Sequence, residues 1–411
     1  MGKKLIVLSL ILCVFSNTTG EFVIAGILPD IATNLGVSIP AAGLLVSAYA
    51  IGMIIGGPLL TVLTARFARK PLIALLLLVV VLGNLASALA PTYPVLFVAR
   101  LATSLGTSTF FANAVVIAAS TAAPGKQAST VSQLAFGMNL AMILGAPLGT
   151  FIGNNFGWRF TFVAIAICCA CGLLLVLWLV PRSQHATAGT SAIAELRVFG
   201  KPDVQLAIAI TALGNAGLLT VFIYFAPLLT NISGFTADIV AILLLVYGVG
   251  ATIGNFVGGW LSDRALMPSQ IGLLLILAAA LALLWVVSAS MIITAAMVFI
   301  LGALGFSVIP GMQTRVLTTA SAAPTLAIAV NASAYQLAAA FAAWLGGQII
   351  SSGPGLRSIY LVSAAITIVG AAVSGYAWLR DRRAISTELH STSPQADTSL
   401  TLNTVKNNQC E

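Results

Sequence analysis

A chain of 411 residues that is 59% apolar and only 7% charged has too few charges for a water-facing surface, since an ordinary soluble protein carries about 25%. Its apolar residues come in continuous runs of about 18–25, the length of a membrane-crossing helix, and not in the alternating ten-residue segments of a β-barrel. The net charge of +8 does not point to nucleic acid, because the basic residues stand singly or in short clusters and form no basic face.

The expected class is therefore an all-α polytopic membrane protein embedded in a lipid bilayer. The chain opens on Lys3-Lys4 and an apolar stretch to Phe15, which resembles a secretory signal peptide. No small-x-small cleavage site follows, and the apolar run resumes at Phe22, so the stretch reads as a first span over about 5–28. Inside it, in Asn17-Thr18-Thr19-Gly20-Glu21-Phe22, sits a carboxylate. An ionisable group at that depth is costly and marks a functional site by default. Five more spans are expected at about 41–64, 72–90, 95–117, 129–153 and 161–180. A polar break follows, and then six more at about 204–229, 238–261, 270–289, 291–313, 325–350 and 357–379. The domains are thus a six-helix bundle over 1–180, a cytoplasmic linker over 181–202 and a second six-helix bundle over 203–380. A tail over 381–411, rich in Ser, Thr, Asn and Gln, is expected to be disordered.

Charge sets the orientation. Placing Lys3 and Lys4 in the cytoplasm puts Arg66, Arg69, Lys70, Lys126, Arg182, Arg197, Lys201, Arg264, Arg315, Arg380, Arg382 and Arg383 on the same side. Only Arg159 and Arg357 fall in outer loops. The positive-inside rule then places both termini in the cytoplasm. The two halves also repeat. Adding 198 to Asn17, Pro29, Tyr49, Gly52, Gly56 and Arg66 gives Asn215, Pro227, Tyr247, Gly250, Gly254 and Arg264. The same shift takes Gly149, Gly157 and Arg159 to Gly347, Gly355 and Arg357. Such an ordered set implies two parallel six-helix repeats, with spans four and ten drifting by one or two residues. The five cysteines form no framework: Cys168, Cys169 and Cys171 lie inside one apolar run, and Cys13 and Cys410 have no evident partner.

Three stretches carry motif character. The loop after span two, Ala65-Arg66-Phe67-Ala68-Arg69-Lys70, and its repeat, Gly259-Trp260-Leu261-Ser262-Asp263-Arg264, resemble the signature Gly-x-Leu-Ala-Asp-Arg-x-Gly-Arg-Lys of the major facilitator superfamily. The first copy has Thr61, Ala65 and Ala68 where Gly, Asp and Gly are usual; the second keeps the Asp263-Arg264 pair. In that family the carboxylate and the arginine are expected to latch the cytoplasmic side. Span four contains Leu96-x-x-x-Arg100 and then Gly106, similar to a second motif of the family. Span five contains Gly137, then Gly145-Ala146-Pro147-Leu148-Gly149, similar to the Gly-Pro-x-x-Gly-Gly motif of drug:proton exporters. The general reading of span five is a helix flattened by glycine and bent by proline. Together these stretches resemble the twelve-span drug:proton antiporter group, and Glu21-Phe22 of span one with the Ala41-Gly43 to Pro58 region resembles its branch of arabinose-, nucleoside- and chloramphenicol-exporter-like proteins.

That resemblance implies the fold of the family, a location in the plasma (inner) membrane, and export of a small molecule driven by the proton gradient. It implies no metal and no cofactor. Glu21 and Arg100 are the expected proton-coupling residues. Each lies about 10 Å below the outer boundary at 1.5 Å per residue, so they are level with one another. Their repeat counterparts are Leu219 and the Val298–Ile300 stretch, so the embedded ionisable chemistry belongs to the first half alone. Cavity candidates are Asn17, Asn113, Asn139, Asn215, Asn331, Tyr335 and Gln336; Asn331 and Tyr335 are four apart and share a helix face. Such a lining suits a neutral or weakly charged amphipathic substrate. The chain is expected to be monomeric, with protons and a small molecule as its partners. A proton-coupled uptake symporter is the nearest alternative, and a non-transporting sensor would share the fold. An enzyme is disfavoured: His185 and His390 lie outside the spans, and no metal-ligand spacing, paired carboxylates or nucleotide motif occurs.

Overall fold

A computed structural model describes residues 2–56, 60–64, 67–121, 127–180, 200–320, 324–353 and 355–391. All regular structure among the described residues is helical. Among the described residues ten helices are long and apolar enough to cross a membrane. Ile39–Ile55 and Pro324–Ser351 supply the second and eleventh spans, and twelve crossings place the two chain ends on the same side. That side is called the terminal end here, and the opposite side the far end.

Span one is two helices, Gly2–Phe22 and Ile24–Leu35, joined at Val23. Gly26 N–H turns back to the Val23 carbonyl three residues earlier. Pro29, in the second piece, has no N–H to give and crowds the carbonyl four residues before it. Span seven breaks in the same way at Tyr224, between Pro202–Ile223 and Phe225–Asn231, with Pro227 in the repeat position of Pro29. Span five contains a third irregularity. It runs Gln127–Leu140, then a wider π turn at Ala141–Gly145, then Ala146–Phe156. Pro147 lies just past that turn, so the carbonyl it fails to pair falls inside the widened segment.

The repeated glycines perform the same packing in both halves. Gly52 and Gly56 of span two press on Ser104 and Leu105 of span four, which is Tyr93–Thr121. Gly250 and Gly254 of span eight, Ala237–Arg264, press on Phe299 and Ala303 of span ten, Met291–Thr319. A methyl group at Gly254 would stand 1.9 Å from the Ala303 carbonyl oxygen, so a larger residue cannot enter without parting the helices. Gly157 and Gly355 both have positive φ, 98° and 84°, at the matching turns before spans six and twelve; only glycine takes that conformation without strain.

Arg159 and Arg357, the two arginines against the charge bias, also share a role. Arg159 donates to the Ala90 carbonyl (2.9 Å) and to Asn34. Arg357 donates to the carbonyls of Trp285 (2.6 Å) and Val286 (2.8 Å). Each closes the far end of the third span of its half, Arg69–Leu89 or Leu266–Val287, by satisfying carbonyls that a helix leaves unpaired there.

The halves share one apolar core at the far end and keep separate cores at the terminal end. The shared core includes Val23, Ile27, Leu45 and Phe162 together with Phe222, Tyr224, Leu228 and Ala343. At the terminal end Leu10, Ile73, Phe110 and Val176 cluster within the first half. Ile210, Leu274, Met312 and Ala377 cluster within the second. Span two packs on span eleven, and the Ala141–Phe156 part of span five packs on span eight. Hydrogen bonds from Ser47 to the Ala340 carbonyl (3.0 Å) and from Asn154 to the Ala237 carbonyl (2.7 Å) join the halves there.

One expectation is corrected. The last helix does not stop near residue 380 but runs Ser358–Ser391, carrying the expected tail into helix. The rest of that tail, 392–411, and linker residues 181–199 lie outside the described residues.

Candidate functional site

Glu21 is the last-but-one residue of the first piece of span one, so the break at Val23 lies immediately beyond it. It lines a crevice between the halves, with about 410 Å³ of atom-free space counting its open mouth. Phe22, Tyr49, Phe222, Tyr335 and Gln336 contribute to the walls. Leu219, the repeat counterpart of Glu21, lines it too, so the crevice lies where the two repeats face one another. Gln336 Nε2 donates to Glu21 Oε1 at 2.8 Å. A second crevice, with about 270 Å³ of atom-free space on the same measure, adjoins it behind Phe22 and Phe222, and includes Asn215, Tyr247, Phe306 and Tyr335. The rings between them are in contact: Phe22 meets Phe222 edge-on at 5.8 Å, and Phe222 lies 5.1 Å from Tyr247.

Arg100 is 1% exposed, and among the described residues it is in no ion pair with Glu21. Its guanidinium lies over the Tyr49 ring at 4.4 Å and 5.7 Å from the Phe162 ring. All three of its nitrogens are buried without a hydrogen-bond partner. Tyr49 is thus the side chain shared by the two ionisable groups, forming a wall beside Glu21 and a platform under Arg100. Asn17, one turn before Glu21, accepts from the Thr107 hydroxyl at 3.4 Å, and its amide nitrogen is buried without a partner.

The structure divides the other cavity candidates. Tyr335 and Gln336 line the first crevice, and Asn215 and Tyr335 the second. Asn17, Asn113, Asn139 and Asn331 line neither. Asn113 donates to the Thr109 carbonyl of its own helix, Asn331 accepts from Thr211 at 2.7 Å, and Asn139 is half-buried in span five. Asn215 donates to the Thr211 carbonyl and to the Met312 sulfur, so its amide is already engaged.

The span-five motif faces span one. A methyl group on Gly145 would stand 1.9 Å from the Thr19 hydroxyl, and one on Gly149 would stand 2.6 Å from Val23; Pro147 between them is buried. The motif therefore presses against the two residues that bracket Glu21. The expected latch is not formed among the described residues. Asp263 is exposed and makes no ion pair, and Arg264 lies over the Trp260 ring at 3.7 Å. The ion pairs at this end, among the described residues, are instead Arg315 with Asp381 at 2.5 Å, linking spans ten and twelve, and Arg380 with Asp203 at 3.2 Å, linking spans twelve and seven, both within the second half. Arg69 and Lys70 are half-buried at the start of span three, and Arg66 lies outside the described residues.

Sequence reasoning passed over Phe22, Tyr49, Phe222 and Tyr247 as site residues. The signal was present for two of them: Tyr49 and Tyr247 are repeat counterparts, and each lines one of the adjoining crevices.

Comparisons with known proteins agree with this arrangement. Residues 10–326 match the sequence model described as Major Facilitator Superfamily. The chain is 37% identical to the "Inner membrane transport protein YdhP" of Escherichia coli (strain K12), over 90% of this chain and 94% of that protein. It is 33% identical to a "Chloramphenicol resistance protein" of Streptomyces lividans, over 90% and 95%. Its fold is similar to that of a D-xylose-proton symporter, with a TM-score of 0.73 at 20% identity over 90% of this chain and 96% of that one.

Proposed function

The chain belongs to the major facilitator superfamily, making it a multi-pass membrane transporter of small molecules and not an enzyme, and from that membership we propose that it is a proton-coupled exporter. The observation that carries the proposal is the placement of Glu21: a carboxylate at the meeting of the two repeats, in a crevice walled by both halves, is reached from whichever side the halves open. A proton held there is therefore exposed to one side and then to the other as the halves rock.

The charge bias supports cytoplasmic termini, which makes the far end the outer face and this conformation closed to the outside. The shared core of the far end and the separate cores of the terminal end support the closure of the far end. The site is aromatic, with one carboxylate and a few amides. That chemistry favours an amphipathic, neutral or weakly charged substrate. The relative named for chloramphenicol resistance makes chloramphenicol the first probe. The protein acts as a monomer in the inner membrane, with the proton gradient as its energy source and no bound cofactor.

The experiment is chloramphenicol transport by the full chain in proteoliposomes, with an imposed pH gradient and with the gradient collapsed. Export predicts movement of the drug against the proton flux, abolished by Glu21→Gln while the variant remains folded. Movement of solute with the protons would identify a symporter instead, and unchanged proton-driven transport by Glu21→Gln would sink the role given to that residue.

A further inference from the structure

The amide that holds Glu21 comes from the opposite half of the molecule. Gln336 lies on span eleven, is 6% exposed, and donates to Glu21 across 315 residues of chain. One turn further along the same helix, the Ala340 carbonyl accepts from Ser47 of span two. That contact belongs to the seam that shuts the far end, so Gln336 stands opposite Glu21 where span eleven is packed on span two. The other titratable and charged groups around the carboxylate are few. Span two supplies Tyr49, span four Arg100, and span six Cys169 beyond Tyr49; span eleven adds Tyr335. Span seven presents only Leu219, Phe222 and Ile223 to the crevice, and span five places Gly145 against the neighbouring Thr19.

We infer that Gln336 is a positioning residue that ties the protonation of Glu21 to closure of the far end, so that the proton is released when span eleven seats on span two. The inference rests on the reading of Glu21 as the proton carrier. Its physical basis is selective donation. An N–H bond to an ionised carboxylate is charge-assisted and about twice as strong as one to a neutral group. The seated amide thus favours the ionised acid, and the ionised acid favours the seated amide by the same factor, as linkage requires. When the far end opens, span eleven withdraws the donor and the acid is left to its own half. A neutral amide suits this task better than Lys or Arg, because its withdrawal strands no second charge in the membrane interior.

Two spin labels at the far end read the coupling without a substrate. They are placed at the exposed positions Asn155 and Asp238, one on each half, in a chain whose native cysteines are replaced, and the label distance is followed against pH in lipid. In the parent the far end should close as the pH rises and open as it falls. Gln336→Met, which keeps length and volume but has no donor, should displace the proton concentration at the midpoint about tenfold. Glu21→Gln should show no dependence on pH. Gln336→Asn retains an amide and serves as a second variant, with a displacement between those of the parent and the Met form. A Gln336→Met curve that superimposes on the parent, or a parent distance that ignores pH, overturns the inference. Loss of the proton-carrier reading is seen separately, in proteoliposomes, as proton-driven transport surviving Glu21→Gln.

Discussion

A guanidinium at 1% exposure with rings on two sides, and no carboxylate within ion-pair distance, depends on the faces of those rings for much of its stabilisation. A desolvated cation–π contact contributes about 2 kcal/mol, and it favours the flat, weakly hydrated arginine over lysine. Arg100→Lys should therefore keep the charge yet lower transport about tenfold, as initial rates in proteoliposomes would show; a rate equal to the parent's would show that charge alone suffices. Tyr49→Leu should produce a similar loss by removing the platform. Neither effect was legible in the sequence. Arg100 stood out as a deep cation, and its depth matched that of Glu21, but the side chain between them lies on another helix. Which ring meets which guanidinium is decided by helix rotation, and an apolar run without a polar face gives no phase.

Tyr224 shows what an irregular helix can do for a seam. The break in span seven turns its ring, wholly buried, into a slot lined by glycine on both sides. A methyl group on Gly43 of span two would stand 2.3 Å from its hydroxyl, and one on Gly346 of span eleven 2.3 Å from its ring. The hydroxyl donates to the Ala343 carbonyl at 2.6 Å. Tyr224→Phe should lose that bond at a cost of about 1 kcal/mol, lowering thermal stability modestly. Tyr224→Ala should empty the slot, at about 3–5 kcal/mol for a large aromatic, and shift the far-end label distance toward the open form at every pH. A distance distribution like the parent's would show that the ring is filler and not a bolt. The elements themselves could be read from the sequence where chemistry forces backbone shape. Pro29 with Pro227 and Gly157 with Gly355 are examples, since missing donors and positive φ admit few substitutes. The π turn at Ala141–Gly145 could not be read, because Pro147 is compatible with a simple bend as well. Nor could the meeting of Glu21 with Gln336, which neither local spacing nor the repeat offset encodes.

At the scale of the molecule, apolar run length and the 198-residue offset were enough for the architecture, because a bilayer allows few ways to satisfy a backbone. The tie between spans ten and twelve was not foreseen, since Arg315 and Asp381 look like ordinary loop charges. Their bidentate pair, with distances of 2.5 and 3.0 Å, fastens the terminal end of the second half to itself and not to the first. Asp381→Asn should lower the thermal stability by about 1–3 kcal/mol while leaving the pH dependence of the far end unchanged; a change in that dependence would show that the pair belongs to the switch.

Leu219, facing Glu21 where the repeats meet, sets an electrical limit. With leucine in the matching place, the crevice supplies one carboxylate and the proposed cycle carries one proton. Exchanging that proton for a neutral molecule moves one elementary charge inward per turn, so the membrane voltage drives export even when the two sides have equal pH. One charge falling through 100 mV releases about 2.3 kcal/mol, which holds a neutral solute about fifty-fold more dilute inside than outside. For a monovalent cation the same exchange moves no net charge, and the voltage ceases to drive it. Only the pH difference is then left, at about tenfold per unit. The current accompanying transport in a voltage-clamped bilayer should accordingly vanish when a neutral substrate is replaced by a singly charged cation.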